Sequence, residues 1–441
     1  MTGVDRPDPL PIAPLERPPD VTVTVPGSKS FTNRALVLAA LADGTSTLHG
    51  ALVADDTEAM AAALEQLGVG IERHDGGRRL VVHGLGGRLP AGPLRIDARL
   101  SGTTARFLLP VLALGSGPYV LDGRAPLRRR PMGPTVDALR ALGAEVDDGA
   151  ETGPGHLPVT VRGLGTRGGA TAVPADLSSQ FVSGLLLAAP AMPEGLDLTM
   201  LGAAVSRPYL TMTTATMAAF GVEVERPSPD RFVVAPASYR ATAYGVEPDA
   251  SAASYFLAAA ALTGGRVRVA GLGAGSLQGD IRVVAVLEQM GAEVELADDS
   301  VEVRGTGQLR GVDVDLADLP DMAQTIAVVA AFADGPTTVR GVELIRHHET
   351  DRIAAVVAEL RRCGLTVHER RDGFTIEPGP LRPARIETYD DHRMAMSFAL
   401  LGLRAPGIEI ADPGCVAKTF PDYFATLDQL RRPAEPGPEP E

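Results

Sequence analysis

Residues 21–25, Val-Thr-Val-Thr-Val, form a β-branched run that predicts a strand. Residues 35–41, Ala-Leu-Val-Leu-Ala-Ala-Leu, are an apolar run of strong helix formers and predict a buried helix. Between them Pro26-Gly27 breaks the strand, and Ser28 and Ser30 stand where helix caps belong. Further on, the pattern predicts a strand at 45–49, a helix at 56–67 ended by Gly68, and strands at 69–72 and 80–83.

The same unit then recurs. A second copy opens at Ser101-Gly102-Thr103 and predicts a strand at 119–121, a helix at 131–142, Gly143, then strands at 145–146 and 159–161. A third opens at Ser178-Ser179-Gln180, with a strand at 196–200, a helix at 208–220, Gly221, and strands at 222–224 and 232–234. A fourth opens near Asp249, with a strand at 266–269, a helix reaching Met290, Gly291, and strands at 293–295 and 301–303. A fifth opens near Pro320-Asp321, with a strand at 337–339, a helix at 351–363, Gly364, and strands at 365–367 and 374–376. The sixth opens at Asp391-His392-Arg393, with a strand at 407–410 and a helix after Lys418, and stops before its last strands. The glycine after each second helix is a C-cap that needs positive φ.

Six βαβαββ-type units make an α/β chain. At 441 residues it is long enough for two cores. The sixth copy lacks strands while the strand at 21–25 is spare, so the chain start is expected to complete the sixth unit. This gives residues 1–26 to a second domain formed with 247–430, and makes 27–246 an inserted domain of copies one to three. Residues 431–441 are expected to be a disordered acidic tail.

Composition narrows the function classes. A net charge of −14 argues against nucleic-acid binding. No apolar run approaches the length of a membrane span, and residues 1–20 do not resemble a signal peptide. Two cysteines, Cys363 and Cys415, form neither a disulfide framework nor a zinc pattern, which suits a cytoplasmic protein. Of 41 basic residues, 39 are arginine; the two lysines are Lys29 and Lys418. Both fall inside motif-like segments, where a compact ammonium serves and a planar guanidinium does not.

Polar residues collect at predicted helix starts: Lys29 and Ser30 with Arg34 one turn on, Ser101–Thr103, Arg130-Pro131, Ser178–Gln180, Ser206-Arg207-Pro208, Asp321, Glu349–Arg352, Asp391–Arg393 and Lys418-Thr419. Ser, Thr and Asp there also act as caps. Arg and Lys are different, because the helix dipole disfavours cations at an N-terminus unless an anion joins them. The pattern therefore points to substrates carrying phosphates and carboxylates, with charged lobes expected to close on them.

These motifs resemble the 5-enolpyruvylshikimate-3-phosphate synthase family over about residues 21–430. The carriers are Pro26-Gly27-Ser28-Lys29-Ser30 with Asn33-Arg34, Gly102-Thr103 with Arg106, Arg130-Pro131, Ser178-Ser179-Gln180-Phe181, Ser206-Arg207-Pro208-Tyr209, Pro320-Asp321, Glu349-Thr350-Asp351-Arg352, Asp391-His392-Arg393-Met394 and Ala417-Lys418-Thr419-Phe420. The resemblance implies a two-domain inside-out α/β prism and transfer of the enolpyruvyl group of phosphoenolpyruvate to the 5-hydroxyl of shikimate 3-phosphate, through a tetrahedral ketal and without metal or cofactor. It implies that Lys29, Ser30, Arg34, Ser178, Ser179, Gln180, Ser206, Tyr209, Asp321 and His348 serve shikimate 3-phosphate. Lys29, Gly102, Arg130, Gln180, Arg352, Arg393 and Lys418 would serve phosphoenolpyruvate. Asp321 would be the base, with Glu349 and Lys29 as candidate acids. A monomer sensitive to glyphosate is expected, since a side chain at Gly102 would crowd phosphoenolpyruvate and its mimic.

Three positions depart from common family patterns: Leu100-Ser101 before Gly102, His348 where many members carry Lys, and Leu344 where some carry Asn. Two other functions remain as alternatives. The sister transferase acting on UDP-N-acetylglucosamine usually carries Lys-Asn at the first helix and a catalytic Cys before the second-repeat Arg, whereas Lys29 is followed by Ser30 and residues 123–130 hold no Cys. A non-catalytic phosphometabolite binder would be expected to lose Asp321, Glu349 or a lysine. Lesser signals go to structure: His347-His348-Glu349 lacks a second histidine pair for metal, His392 reads as a hydrogen-bonding residue, Cys415 as a buried thiol and Gly271–Gly275 as a turn.

Overall fold

The computed structural model describes residues 6–149, 152–163, 165–174, 178–202 and 206–432; the predicted tail lies almost wholly outside them. The second copy shows how each unit is made. Leu94–Asp97 runs parallel to Tyr119–Asp122, and helix Gly102–Leu112 supplies the crossover that a parallel pair requires. Tyr119–Asp122 pairs antiparallel with Val159–Arg162, which pairs antiparallel with Glu145–Asp148. Five four-stranded sheets follow this plan, and a three-stranded one serves the sixth copy.

Two strands are exchanged where the chain passes between its halves. Asp20–Val23, just before helix Lys29–Leu41, pairs in parallel with Arg266–Ala270 of the fourth copy. Ala243–Gly245, just before helix Ala250–Thr263, pairs in parallel with Thr45–His49 of the first. The chain accordingly divides into two compact units, Met1–Pro26 with Pro248–Glu441, and Gly27–Glu247.

This corrects the expectation for the spare strand. The sixth copy is completed by Leu10–Ile12, antiparallel to Ile408–Ile410, not by residues 21–25. Leu10 and Ile12 are buried with Pro11 exposed between them, an alternation too short to read from sequence. Pro11 sits on an edge strand, where a missing N–H costs no ladder bond. A second correction concerns the third copy. Residues 222–224 are not a strand; Val222 is buried in the core and pairing begins at Glu225–Ser228, whose register with Arg231–Val234 is irregular.

The C-cap glycines Gly68, Gly143, Gly221, Gly291 and Gly364 all have φ between 84° and 107°. The first helices are buried on every side. Ala323–Ala330 and His392–Gly402 expose no residue, and Lys29–Leu41 buries everything from Phe31 onward. They pack on one another in threes: Lys29–Leu41, Gly102–Leu112 and Ser179–Ala188 in one unit, Ala250–Thr263, Ala323–Ala330 and His392–Gly402 in the other. Helices thus fill the interior and sheets form the walls, an inside-out order. Polar residues in those interiors gather at helix starts, where orphan N–H groups need partners, with buried Ser183 and Ser397 further along their helices.

Candidate functional site

The starts of four helices carry the candidate residues of unit 27–247. Ser28 caps helix Lys29–Leu41, its Oγ accepting from Phe31 N at 3.5 Å. Lys29 Nζ lies 3.3 Å from Asp56 Oδ2 at the start of helix Asp55–Gln66. Asp56 is 4% exposed, so the lysine is held by a nearly buried counter-charge. Arg34 is 2% exposed and donates inward: to Ser30 O at 2.9 Å, Thr213 Oγ1 at 2.8 Å, Tyr209 O at 3.1 Å and Ser183 Oγ at 3.4 Å. Burial pulls its pKa down to about 10. It ties the Ser30 turn to helix Arg207–Ala219, which carries Tyr209.

Ser101 caps helix Gly102–Leu112 and Ser178 caps helix Ser179–Ala188, each accepting a backbone N–H at 3.2 Å. Gln180 joins the two: its Oε1 accepts from Arg106 at 2.8 Å and its Nε2 donates to Thr103 Oγ1 at 3.3 Å. A Cβ built on Gly102 would come 2.8 Å from an Arg130 terminal nitrogen, so the guanidinium lies across the bare glycine. Neighbouring Arg128 instead pairs with Asp122 at 2.6 and 2.9 Å. Ser206, before helix Arg207–Ala219, is buried and holds φ at 55°, a left-handed conformation costly for serine.

Unit 1–26 with 248–441 gathers the remaining candidates around Arg352, which is 1% exposed. Asp391, the cap of helix His392–Gly402, accepts from Arg352 Nε at 2.7 Å and from a terminal nitrogen at 3.2 Å. Asp321 accepts at 2.8 Å, Glu349 at 2.9 Å, and His348 Nδ1 lies 3.1 Å away. Desolvation opposes the charge, but the carboxylates of Asp391, Glu349 and Asp321 outweigh it and raise the arginine pKa. The other oxygen of Asp321 accepts from Arg393 at 2.9 Å, and Lys418 Nζ donates to Glu349 at 2.9 Å. One array therefore links Lys418, Glu349, Arg352, Asp321 and Arg393, three cations sharing two carboxylates aimed by helix starts and turns.

A match to the family model for EPSP synthase (3-phosphoshikimate 1-carboxyvinyltransferase) covers residues 17–427. A curated 3-phosphoshikimate 1-carboxyvinyltransferase of Nostoc punctiforme is 50% identical over 424 residues, covering 96% of this chain and 99% of that one. The chain belongs to the EPSP synthase family. The enzyme of the same name from Edwardsiella ictaluri is 47% identical over 415 residues, covering 93% of this chain and 96% of its own. A solved EPSP synthase from Acinetobacter baumannii superposes with a TM-score of 0.80 at 28% identity, covering 95% of this chain and 97% of that structure.

Within an EPSP synthase, some side chains that shape the site are not in the expected ligand sets. Asp56, Asp391 and Arg106 hold Lys29, Arg352 and Gln180. An acidic pair at a helix start such as Asp55-Asp56 reads as dipole complement, and only its approach to Lys29 shows a second use. Cys415 is partly buried, and burial with Asp412 nearby pushes its pKa up to about 12, away from a reactive thiolate. His392 is 1% exposed, 3.6 Å from Asp391. Among the described residues no three His, Cys, Asp or Glu side chains are placed to hold a metal ion, and no helix is long and apolar enough to cross a membrane.

Proposed function

We propose that this chain moves the 1-carboxyvinyl group of phosphoenolpyruvate to the 5-hydroxyl of shikimate 3-phosphate, with the array around Arg352 as its chemical centre. The observation that carries the reading is Asp321, a carboxylate shared between Arg352 at 2.8 Å and Arg393 at 2.9 Å. Two guanidinium groups favour its ionised form, as a base for a hydroxyl requires. In the forward reaction Asp321 takes the 5-hydroxyl proton as that oxygen bonds to C2 of the enol. A proton is added to the methylene carbon, from Glu349 or Lys29, giving a tetrahedral ketal. Loss of a methyl proton and C–O cleavage then release phosphate and restore the double bond.

Arg352 is enclosed by carboxylates, so an incoming substrate anion reaches it as Asp321 or Glu349 gives way. Anion binding thereby loosens the base and the acid from the cations that hold them. Arg130, Arg393, Lys418 and Lys29 take up charge developing on the leaving phosphate. Ser30, Ser178, Ser179, Ser206, Tyr209 and Gln180 orient shikimate 3-phosphate. Arg34 acts on the same substrate by holding the Ser30 turn against Tyr209. His348 brings an imidazole to Arg352 and Asp321.

The test is a coupled phosphate-release assay with both substrates. Wild type should release phosphate only when both are present, and Asp321→Asn should lower kcat by roughly 10²–10⁴. An Asp321→Asn protein with full kcat would overturn the assignment of the base.

A further inference from the structure

A second carboxylate reaches Arg393 through Ser251, at the same terminal nitrogen that meets Asp321. Arg393 donates to Asp321 Oδ2 at 2.9 Å, and its terminal nitrogens lie 3.4 Å from Ser251 Oγ and 3.4 Å from Tyr255 OH. The Ser251 hydroxyl donates in turn to Asp280 Oδ2. Asp280 lies in the short turn Gly279–Arg282, is 4% exposed, and meets Ser251 at the start of helix Ala250–Thr263. A chain of carboxylate, guanidinium, hydroxyl and carboxylate therefore runs from the proposed base into the interior. We propose that Asp280 is a positioning residue for the transferase reaction, acting through Ser251 to fix the Arg393 guanidinium and supply it with a second counter-charge. The proposal deepens the reading of Arg393 as a phosphoenolpyruvate ligand and rests on it.

Several charged groups bear on Asp280. Asp249 and Ser251 come from the helix beside it, Asp321 from the Pro320–Met322 turn, Arg393 from helix His392–Gly402, and Arg282 is on its own turn, paired with Asp318. Burial pushes the Asp280 pKa up to about 6, with Asp321 and Asp249 raising it and Arg393 and the Ser251 hydrogen bond lowering it. An acid whose folded pKa lies above its unfolded value weakens the fold as pH rises from about 4 to about 6, because the unfolded chain gives up the proton more readily. Asp280 is thus a net cost to stability at neutral pH, in keeping with a role in the site. The interaction is reciprocal: while Asp280 is ionised it keeps the proton affinity of Asp321 higher, which improves Asp321 as a base.

Asp280→Asn removes the charge and keeps the shape, so at every pH it should behave as the wild type does once Asp280 is protonated. Measured from pH 5 to pH 8.5, kcat/KM for phosphoenolpyruvate in Asp280→Asn should fall about tenfold below wild type at the alkaline end. The gap should close toward pH 5, with a midpoint near the Asp280 pKa of about 6. Ser251→Ala, which keeps the carboxylate but cuts the link, should raise KM for phosphoenolpyruvate more than it lowers kcat. Urea unfolding should find Asp280→Asn at least as stable as wild type above pH 6. Arg393→Lys is run in parallel. If it raises KM while Asp280→Asn and Ser251→Ala match wild type, Asp280 has no positioning role; if none of the three moves KM, the placement of Arg393 on phosphoenolpyruvate fails as well. A defect of the same size at all pH values, or a destabilised Asp280→Asn, marks a merely structural residue and overturns the proposal.

Discussion

Lys29 survives in a chain that otherwise uses arginine, and the structure gives a physical reason. Its ammonium lies 3.3 Å from nearly buried Asp56, a pairing of one compact charge with one carboxylate that the longer planar fork of a guanidinium would not reproduce. Lys29→Arg should lower kcat/KM by about 100-fold or more in the phosphate-release assay, while full activity would remove the argument from lysine scarcity. Gly102 makes a second case. A methyl at Gly102 meets the far end of Arg130, which can swing aside but then no longer covers the glycine. Gly102→Ala should raise KM for phosphoenolpyruvate about tenfold and weaken glyphosate inhibition further; an unchanged KM would show that Arg130 is not a ligand. At this scale Lys29, Arg352 and Arg393 were legible because cations at helix starts contradict the dipole, whereas Lys418 ends the turn Pro413–Lys418 and Arg130 lies just before helix Gly133–Ala141. Asp56, Asp280 and Ser251 were not legible, since an acid or serine at a helix start already satisfies the dipole.

Among elements, the second helices and the strands around them follow their patterns to within a residue or two in most copies. Arg266–Ala270 buries its two valines and leaves its arginines partly exposed, as its alternating sequence predicts. The first strands of the copies, such as Leu94–Asp97 and Ala243–Gly245, did not stand out, because three or four residues carry too little periodicity. Their pairing still matters energetically. Val23, fully buried on the strand beside Arg266–Ala270, fills the wall of the fourth copy. Val23→Ala should lower unfolding free energy by about 2 kcal/mol in urea melts of the whole chain. A change below about 0.5 kcal/mol would mean that this strand adds little to the unit.

For the whole molecule, strand exchange makes the two units unequal as pieces. Gly27–Glu247 is continuous and draws its large apolar cluster from its own residues, so the fragment should unfold cooperatively by itself. The 248–441 segment lacks Leu10–Ile12 and Asp20–Val23, leaving two sheets without a strand. It should gain protected amides by hydrogen exchange only when residues 1–26 are fused to it or supplied in trans. Protection without them would show those strands to be dispensable. The sequence by itself determined the six repeats, the buried helices, the C-cap glycines and the family, because each is written in local periodicity or in residues close along the chain. The tertiary structure decided which sheet receives each stray strand, and that Arg352 is ringed by Asp321, Glu349 and Asp391 while Asp280 backs Arg393. Those pairings join residues far apart in the chain, and only packing selects among the partners that local propensity allows.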